Sequence, residues 1–133
     1  MKLTSRSEYA LLALLYLARR TDHSFVTVDT IAKAQTIPPK FLEQILLTLK
    51  RSRYLRSSKG HGGGYALAMS PDTITLAEII RLFDGALAPT ESVSKYFYEP
   101  TPIEREQKLI KLFRGIRDYI SDLLEETTLA DMR

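Results

Sequence analysis

The residues best suited by type and spacing to do chemistry lie between positions 56 and 64. Here Arg56, Lys59 and His61 stand among Gly60, Gly62, Gly63 and Gly64, four of the chain's six glycines. Such a cluster fits three uses: a loop that cradles a phosphate through bare amides, a metal loop using His61, or a tight reversal between two strands. A phosphate loop needs a Lys-Ser or Lys-Thr pair and a helix opening behind its glycines, and Tyr65-Ala66-Leu67-Ala68-Met69 supplies neither. A metal at His61 lacks partners, because the only other histidine is His23 and there is no cysteine. Segments 54–59 and 65–69 have the length and apolar content of short strands, and glycine takes the positive φ of a reversal without steric cost. The spacing therefore predicts a hairpin with a cationic, side-chain-poor tip.

Helical segments must place that hairpin. Ser5-Arg6-Ser7-Glu8 has the spacing of a capping box, so a helix is predicted to open there. Leu11, Leu12, Leu14, Leu15 and Leu17 make it too apolar for a surface helix, and Arg19 and Arg20 suit its C-terminal end. Thr27 caps a short second helix that turns Val28, Ile31 and Ala32 to one side and runs to about Gln35. Pro38-Pro39 breaks it and opens a third helix from Pro39 to about Ser52. On that third helix Phe41, Leu42, Ile45, Leu46 and Leu49 form a core stripe. Lys40, Glu43, Gln44, Leu47 and Arg51 fall opposite. Gln44 suits adenine, Arg51 suits guanine or phosphate, and Leu47 suits a thymine methyl. A short helix, a turn, a longer basic helix and a hairpin make a winged helix-turn-helix, with Arg56, Lys59, Gly60, His61 and Gly62 meeting phosphates or a minor groove. Arg6 completes the expected DNA-binding set.

Charge agrees with a polyanionic partner. Residues 1–69 hold 11 Lys and Arg against 4 Asp and Glu, a net of +7, whereas residues 70–133 hold 8 against 12, a net of −4. The absence of cysteine excludes disulfides, thiolate metal sites and thiol nucleophiles, and no nucleophile–base pair suggests an enzyme. The longest apolar run, Tyr9–Ala18, is half the length of a membrane span, and Glu8 with Arg19-Arg20 argues against a signal peptide. A cytoplasmic protein without membrane contact is expected.

In the second half, Thr75-Leu76-Ala77-Glu78 opens a helix with Ile79, Ile80, Leu82 and Phe83 inward, stopped at Gly85. Thr101-Pro102-Ile103-Glu104 opens a longer one, predicted to reach about Glu126 and to be roughly 37 Å long. Leu109, Phe113, Ile116, Ile120 and Leu123 form a seam suited to the same helix of a second copy, the alternative being that it packs back on its own domain. Gly115 interrupts this helix, at a cost of about 1 kcal/mol relative to alanine. Tyr96-Phe97-Tyr98, within segment 92–100, is placed either to receive a ligand or partner protein or to cover the dimer core. The fold class is thus mostly α. Residues 1–85 form a winged helix-turn-helix DNA-binding domain with a two-stranded β wing, 86–101 a linker, and 102–133 a dimerisation helix and C-terminal tail.

Three stretches together resemble the Rrf2 family of bacterial transcription regulators: residues 1–10 (MKLTSRSEYA), Ile37 with Phe41-Leu42-Glu43-Gln44-Ile45-Leu46, and Gly60-His61-Gly62-Gly63-Gly64-Tyr65. The resemblance runs from residue 1 to about 85 and continues more loosely through Thr127–Asp131. It implies a homodimeric DNA-binding regulator with groove-reading positions at Lys40, Glu43 and Gln44 and a wing-tip cation at Lys59. The expected function is repression at a palindromic operator on double-stranded DNA, with a protein co-regulator as a further candidate partner. The alternative is a winged-helix adaptor that binds protein rather than specific DNA. Cluster-binding relatives carry three cysteines before the long helix, and segment 86–101 has none. The chain therefore resembles the cysteine-free branch, with no iron–sulfur cluster and no other cofactor expected.

Overall fold

Small and branched side chains make the first helix, α1 (Ser5–Ala18), the axis around which the chain wraps. Ala10, Ala13, Leu14, Leu17 and Ala18 are buried, and the alanines let neighbouring helices approach closely. The structure, a computed structural model, describes residues 1–133. After α1 come α2 (Val28–Gln35), α3 (Pro39–Arg51), β1 (Leu55–Ser58), β2 (Gly64–Leu67), α4 (Leu76–Asp84), α5 (Gln107–Glu126) and α6 (Leu129–Met132). The main core joins α1 to Ile31 of α2, to Leu42, Ile45, Leu46 and Leu49 of α3, and to Leu55, Ile74, Ile79 and Leu129. This is a mostly α winged helix.

Local signals account for most boundaries. Thr27 accepts the Thr30 amide at 3.2 Å and caps α2, while Thr36 closes it in the left-handed conformation at φ 55°. Pro39 begins α3, where a missing N–H costs nothing. Thr75 and Glu78 form the predicted box on α4, and Gly85 ends that helix at φ 83°. Glu78 has a second role: its Oε1 accepts the Tyr54 hydroxyl at 2.7 Å, tying the end of α3 to α4. Burial, then the Glu78 carboxylate, raises the Tyr54 phenol well above its ordinary pKa.

Elsewhere tertiary contacts override the local pattern. Thr4, not Ser5, caps α1, accepting the Ser7 amide at 3.3 Å. The reciprocal carboxylate comes from Asp84 rather than Glu8: Asp84 Oδ2 accepts the Thr4 amide at 3.1 Å, and Oδ1 accepts its hydroxyl. Leu82 is exposed rather than inward, and Phe83 is half-buried. Thr101 caps nothing, because its hydroxyl bonds Ser92 Oγ at 2.7 Å. Pro102–Arg105 is only a 3₁₀ turn, Glu106 is extended, and α5 is a 20-residue helix roughly 30 Å long, shorter than predicted.

β1 and β2 pair antiparallel from Leu55↔Leu67 to Ser58↔Gly64. Val26 adds a third, one-residue rung, exchanging two backbone hydrogen bonds with Tyr65 at 2.8 Å each. The tail also returns to the main core. Leu76 N donates to Thr127 O at 2.9 Å, Leu129 N donates to Ile74 O at 3.0 Å, and Leu129 is fully buried in the core. Leu129→Ala should therefore lower the unfolding free energy by about 2–5 kcal/mol in urea titrations, the cost of a core cavity, whereas a solvated tail would show no loss.

Candidate nucleic-acid interface

The buried arc of α3 sets the direction of the opposite one. With Leu42, Ile45, Leu46 and Leu49 against the core, Lys40, Glu43, Gln44, Leu47 and Arg51 are all exposed. None of these five enters an ion pair. The groove-reading face expected from the sequence is thus free to meet a ligand. Phe41 departs from the predicted core stripe: it is 40% exposed and meets Tyr9 edge-on, centroids 5.5 Å apart, at the margin of the apolar arc.

The glycines of the wing serve two different needs. Gly60 and Gly62 sit at φ 82° and 79°, and a Cβ on either would meet nothing within 4 Å, so their requirement is conformational and the tip is open. At Gly63 a Cβ would lie 2.4 Å from Ser58 O, and at Gly64 2.2 Å from Val26 O. Those two glycines allow backbones to approach within the wing and at its Val26 rung. Lys59 and His61 are exposed beside Gly60 and Gly62.

Two expected cations stand apart from the tip. The Arg56 guanidinium lies 4.7 Å over the Phe25 ring, and its Nη2 donates to His23 O at 3.4 Å. The segment before α2 therefore holds Arg56 in place. Phe25 was not legible as a functional support, since no local spacing links it to Arg56 and only the fold brings them together. Arg6, in the first turn of α1, lies 5.3 Å over the Phe83 ring of α4.

On α5 the expected seam divides. Phe113 packs against the cluster of Ala88, Val93 and Ile110, and Ile120 against that of Ala77, Ile80 and Leu87. Both side chains are half-buried against their own chain. Leu109, Ile116 and Leu123 remain exposed, and Leu112 and Tyr119 join them at 57% and 74% exposure. The outward stripe is Leu109-Leu112-Ile116-Tyr119-Leu123, at steps of three, four, three and four residues. Arg81 Nη2 to Glu125 Oε1 at 2.6 Å and Arg117 Nη1 to Val93 O at 2.9 Å fix the inner face, and the Arg81 hydrogen bond holds the Glu125 carboxyl below its usual pKa.

The family model for Rrf2, described as an iron-dependent transcriptional regulator, matches residues 3–133. The chain is 36% identical over 135 aligned positions to the putative HTH-type transcriptional regulator Rv1287 of Mycobacterium tuberculosis, covering 99% of this chain and 81% of that one. Its fold is similar to that of CymR, the global cysteine regulator of B. subtilis, with a TM-score of 0.79, 29% identity and coverage of 99% and 95%. It is also similar to T. potens IscR, with a TM-score of 0.76, 25% identity and coverage of 99% and 85%.

The donors of this chain do not fit the iron in that family description. It has no cysteine, and no group of three or more His, Cys, Asp or Glu side chains comes together. Segment 86–101 offers hydroxyls instead, with Ser92 and Thr101 bonded to each other. No helix is long and apolar enough to cross a membrane.

The two classes of wing glycine should separate in thermal melts. Gly62→Ala should cost about 1 kcal/mol, from the positive φ alone, whereas Gly64→Ala should cost more because its Cβ collides with backbone.

Proposed function

The chain belongs to the Rrf2 family of transcription regulators, and from that premise we propose that it is a homodimeric, sequence-specific repressor acting on a palindromic operator in the bacterial cytoplasm. The observation that carries this reading is the unpaired outer face of α3 standing in the same domain as a glycine-tipped cationic wing. In the proposed complex α3 enters the major groove, where Gln44 reads adenine, Leu47 packs on a thymine methyl, and Lys40, Glu43 and Arg51 meet base edges or phosphates. Gly60 and Gly62 leave the wing tip without side-chain bulk, so Lys59 and His61 approach a phosphate or minor groove, with Arg56 and Arg6 adding backbone charge. Repression follows by occlusion of RNA polymerase.

A palindrome needs a twofold protein. We assign the stripe Leu109-Leu112-Ile116-Tyr119-Leu123 to an antiparallel pair of α5 helices. The first half of α5 carries Lys108, Lys111 and Arg114, and the second half carries Asp118, Asp122, Glu125 and Glu126 against one cation, Arg117. Antiparallel pairing places opposite charges together, and parallel pairing places like with like. About an axis at Gly115, Lys108 faces Asp122 of the partner subunit, each seven residues from the glycine. Asp122 reaches only Lys95 within its own chain, at 3.9 Å. Nothing in the chain lies within 4 Å of a Cβ built on Gly115, which leaves room for a second helix in the proposed pair.

Two measurements test the reading. In fluorescence-anisotropy titrations, Lys59→Ala should weaken all duplexes alike and reduce the slope of log affinity against log salt by about 0.9, while Gln44→Ala should cost about 1–3 kcal/mol of discrimination at one base pair. Unchanged affinity and slope for Lys59→Ala would remove the wing from the interface, and binding that never prefers one sequence would favour a protein adaptor. In sedimentation equilibrium, Leu112→Glu should give a folded monomer. Asp122→Lys should weaken the dimer, and adding Lys108→Glu should restore it.

A further inference from the structure

Behind the wing, the C-terminal end of α1, the loop after it, β2 and the segment following β2 line a half-open cavity of about 260 Å³. Leu17, Leu67 and Met69 give it apolar walls, Arg20, His23 and Arg133 also line it, and no Asp or Glu side chain does. A shallower cavity shares Arg20, His23 and Arg133 and adds Arg19. Apolar walls beside arginine guanidiniums match an amphiphilic anion, a hydrocarbon body with one charged end.

Arg20 is the group best placed to hold that end, because its five N–H donors are poorly used. Its Nη2 meets Asp22 at 3.2 Å and Ser24 at 3.1 Å, its Nη1 reaches only the Tyr16 hydroxyl at 3.4 Å, and its Nε is buried with no acceptor. Asp22 neutralises one edge of the guanidinium and leaves the rest under-satisfied.

The same loop supports the wing. His23, on the cavity, holds Arg56 through its carbonyl. Phe25 lies under the Arg56 guanidinium, and Val26 pairs with Tyr65. His23 itself sits at φ 55°, a conformation that costs energy for a non-glycine residue and that a neighbouring occupant can relieve or reinforce.

We propose that this cavity is an effector site for a small carboxylate with a short apolar body, and that occupancy changes the pose of the loop that anchors Arg56. The binding stands on the cavity alone, and its consequence for DNA rests on the function proposed above. The volume of about 260 Å³ equals about nine waters at roughly 30 Å³ each, room for a six-carbon acid.

The test titrates hexanoate into the full chain carrying labelled Leu and Met methyls, with hexanol and hexylamine as uncharged and cationic controls. Hexanoate should shift the Leu17, Leu67 and Met69 resonances saturably, with a Kd on the order of 1 mM, and the controls should bind at least about tenfold more weakly. Arg20→Gln should weaken hexanoate about tenfold and Arg20→Lys less, whereas Met69→Trp, at a position 36% exposed, should abolish binding by filling the space without unfolding the chain. Absence of saturable shifts, equal binding of hexylamine, or an unaffected Arg20→Gln would overturn the site. Hexanoate should also change operator affinity in the parent chain and not in Arg20→Gln. Saturable binding with constant operator affinity would overturn the coupling, and a chain that binds no DNA in any condition would sink the regulator reading while leaving the methyl shifts to judge the cavity.

Discussion

The burial of Leu42, Ile45, Leu46 and Leu49 in the core around α1 is the constraint on which the rest depends. Each such side chain contributes about 1.5–3 kcal/mol when removed from water, so the azimuth of α3 is set by its apolar arc. Once that arc is buried, residues about half a turn away must face out. Lys40, Glu43, Gln44, Leu47 and Arg51 therefore need not contribute to folding, which leaves them available for recognition.

A second layer of polar contacts ties the helices around α3 to the rest of the chain, with α4 at its centre. Asp84 binds Thr4 at the start of α1, Glu78 holds Tyr54 at the end of α3, and Arg81 pairs with Glu125 on α5. Each link joins elements distant in sequence, and Glu78 also caps its own helix. One nine-residue helix thus contacts α1, the residue before the wing and α5 at once. The two pKa shifts at these links differ in origin: burial, then the bond to Glu78, raises Tyr54, whereas the hydrogen bond from Arg81 lowers Glu125 against the effect of burial.

The wing depends on neighbours that the hairpin alone does not contain. Its two strands are only four residues each, and they gain a third partner at Val26 and an anchor for Arg56 at Phe25. Gly64 is needed because Val26 approaches so closely. Gly60 and Gly62 are needed because the tip reverses. One run of glycines therefore records both a turn and a packing contact.

The sequence by itself determined the elements whose signals are local: the Thr27 and Thr75 caps, the proline start of α3, the two faces of α3, the glycine reversal and the unequal charge of the two halves. These depend on residues within a few positions of one another, where periodicity and capping chemistry act directly. Only the tertiary structure decided that Asp84 replaces Glu8 at the cap of α1, that Ser92 takes the Thr101 hydroxyl, that Leu129 returns to the core, and that Phe113 and Ile120 turn inward while Leu112 and Tyr119 face out. A hydrophobic repeat identifies an apolar helix, but which of two adjacent apolar arcs is buried depends on the shape of the surface it meets. That surface is assembled from segments far apart in the chain.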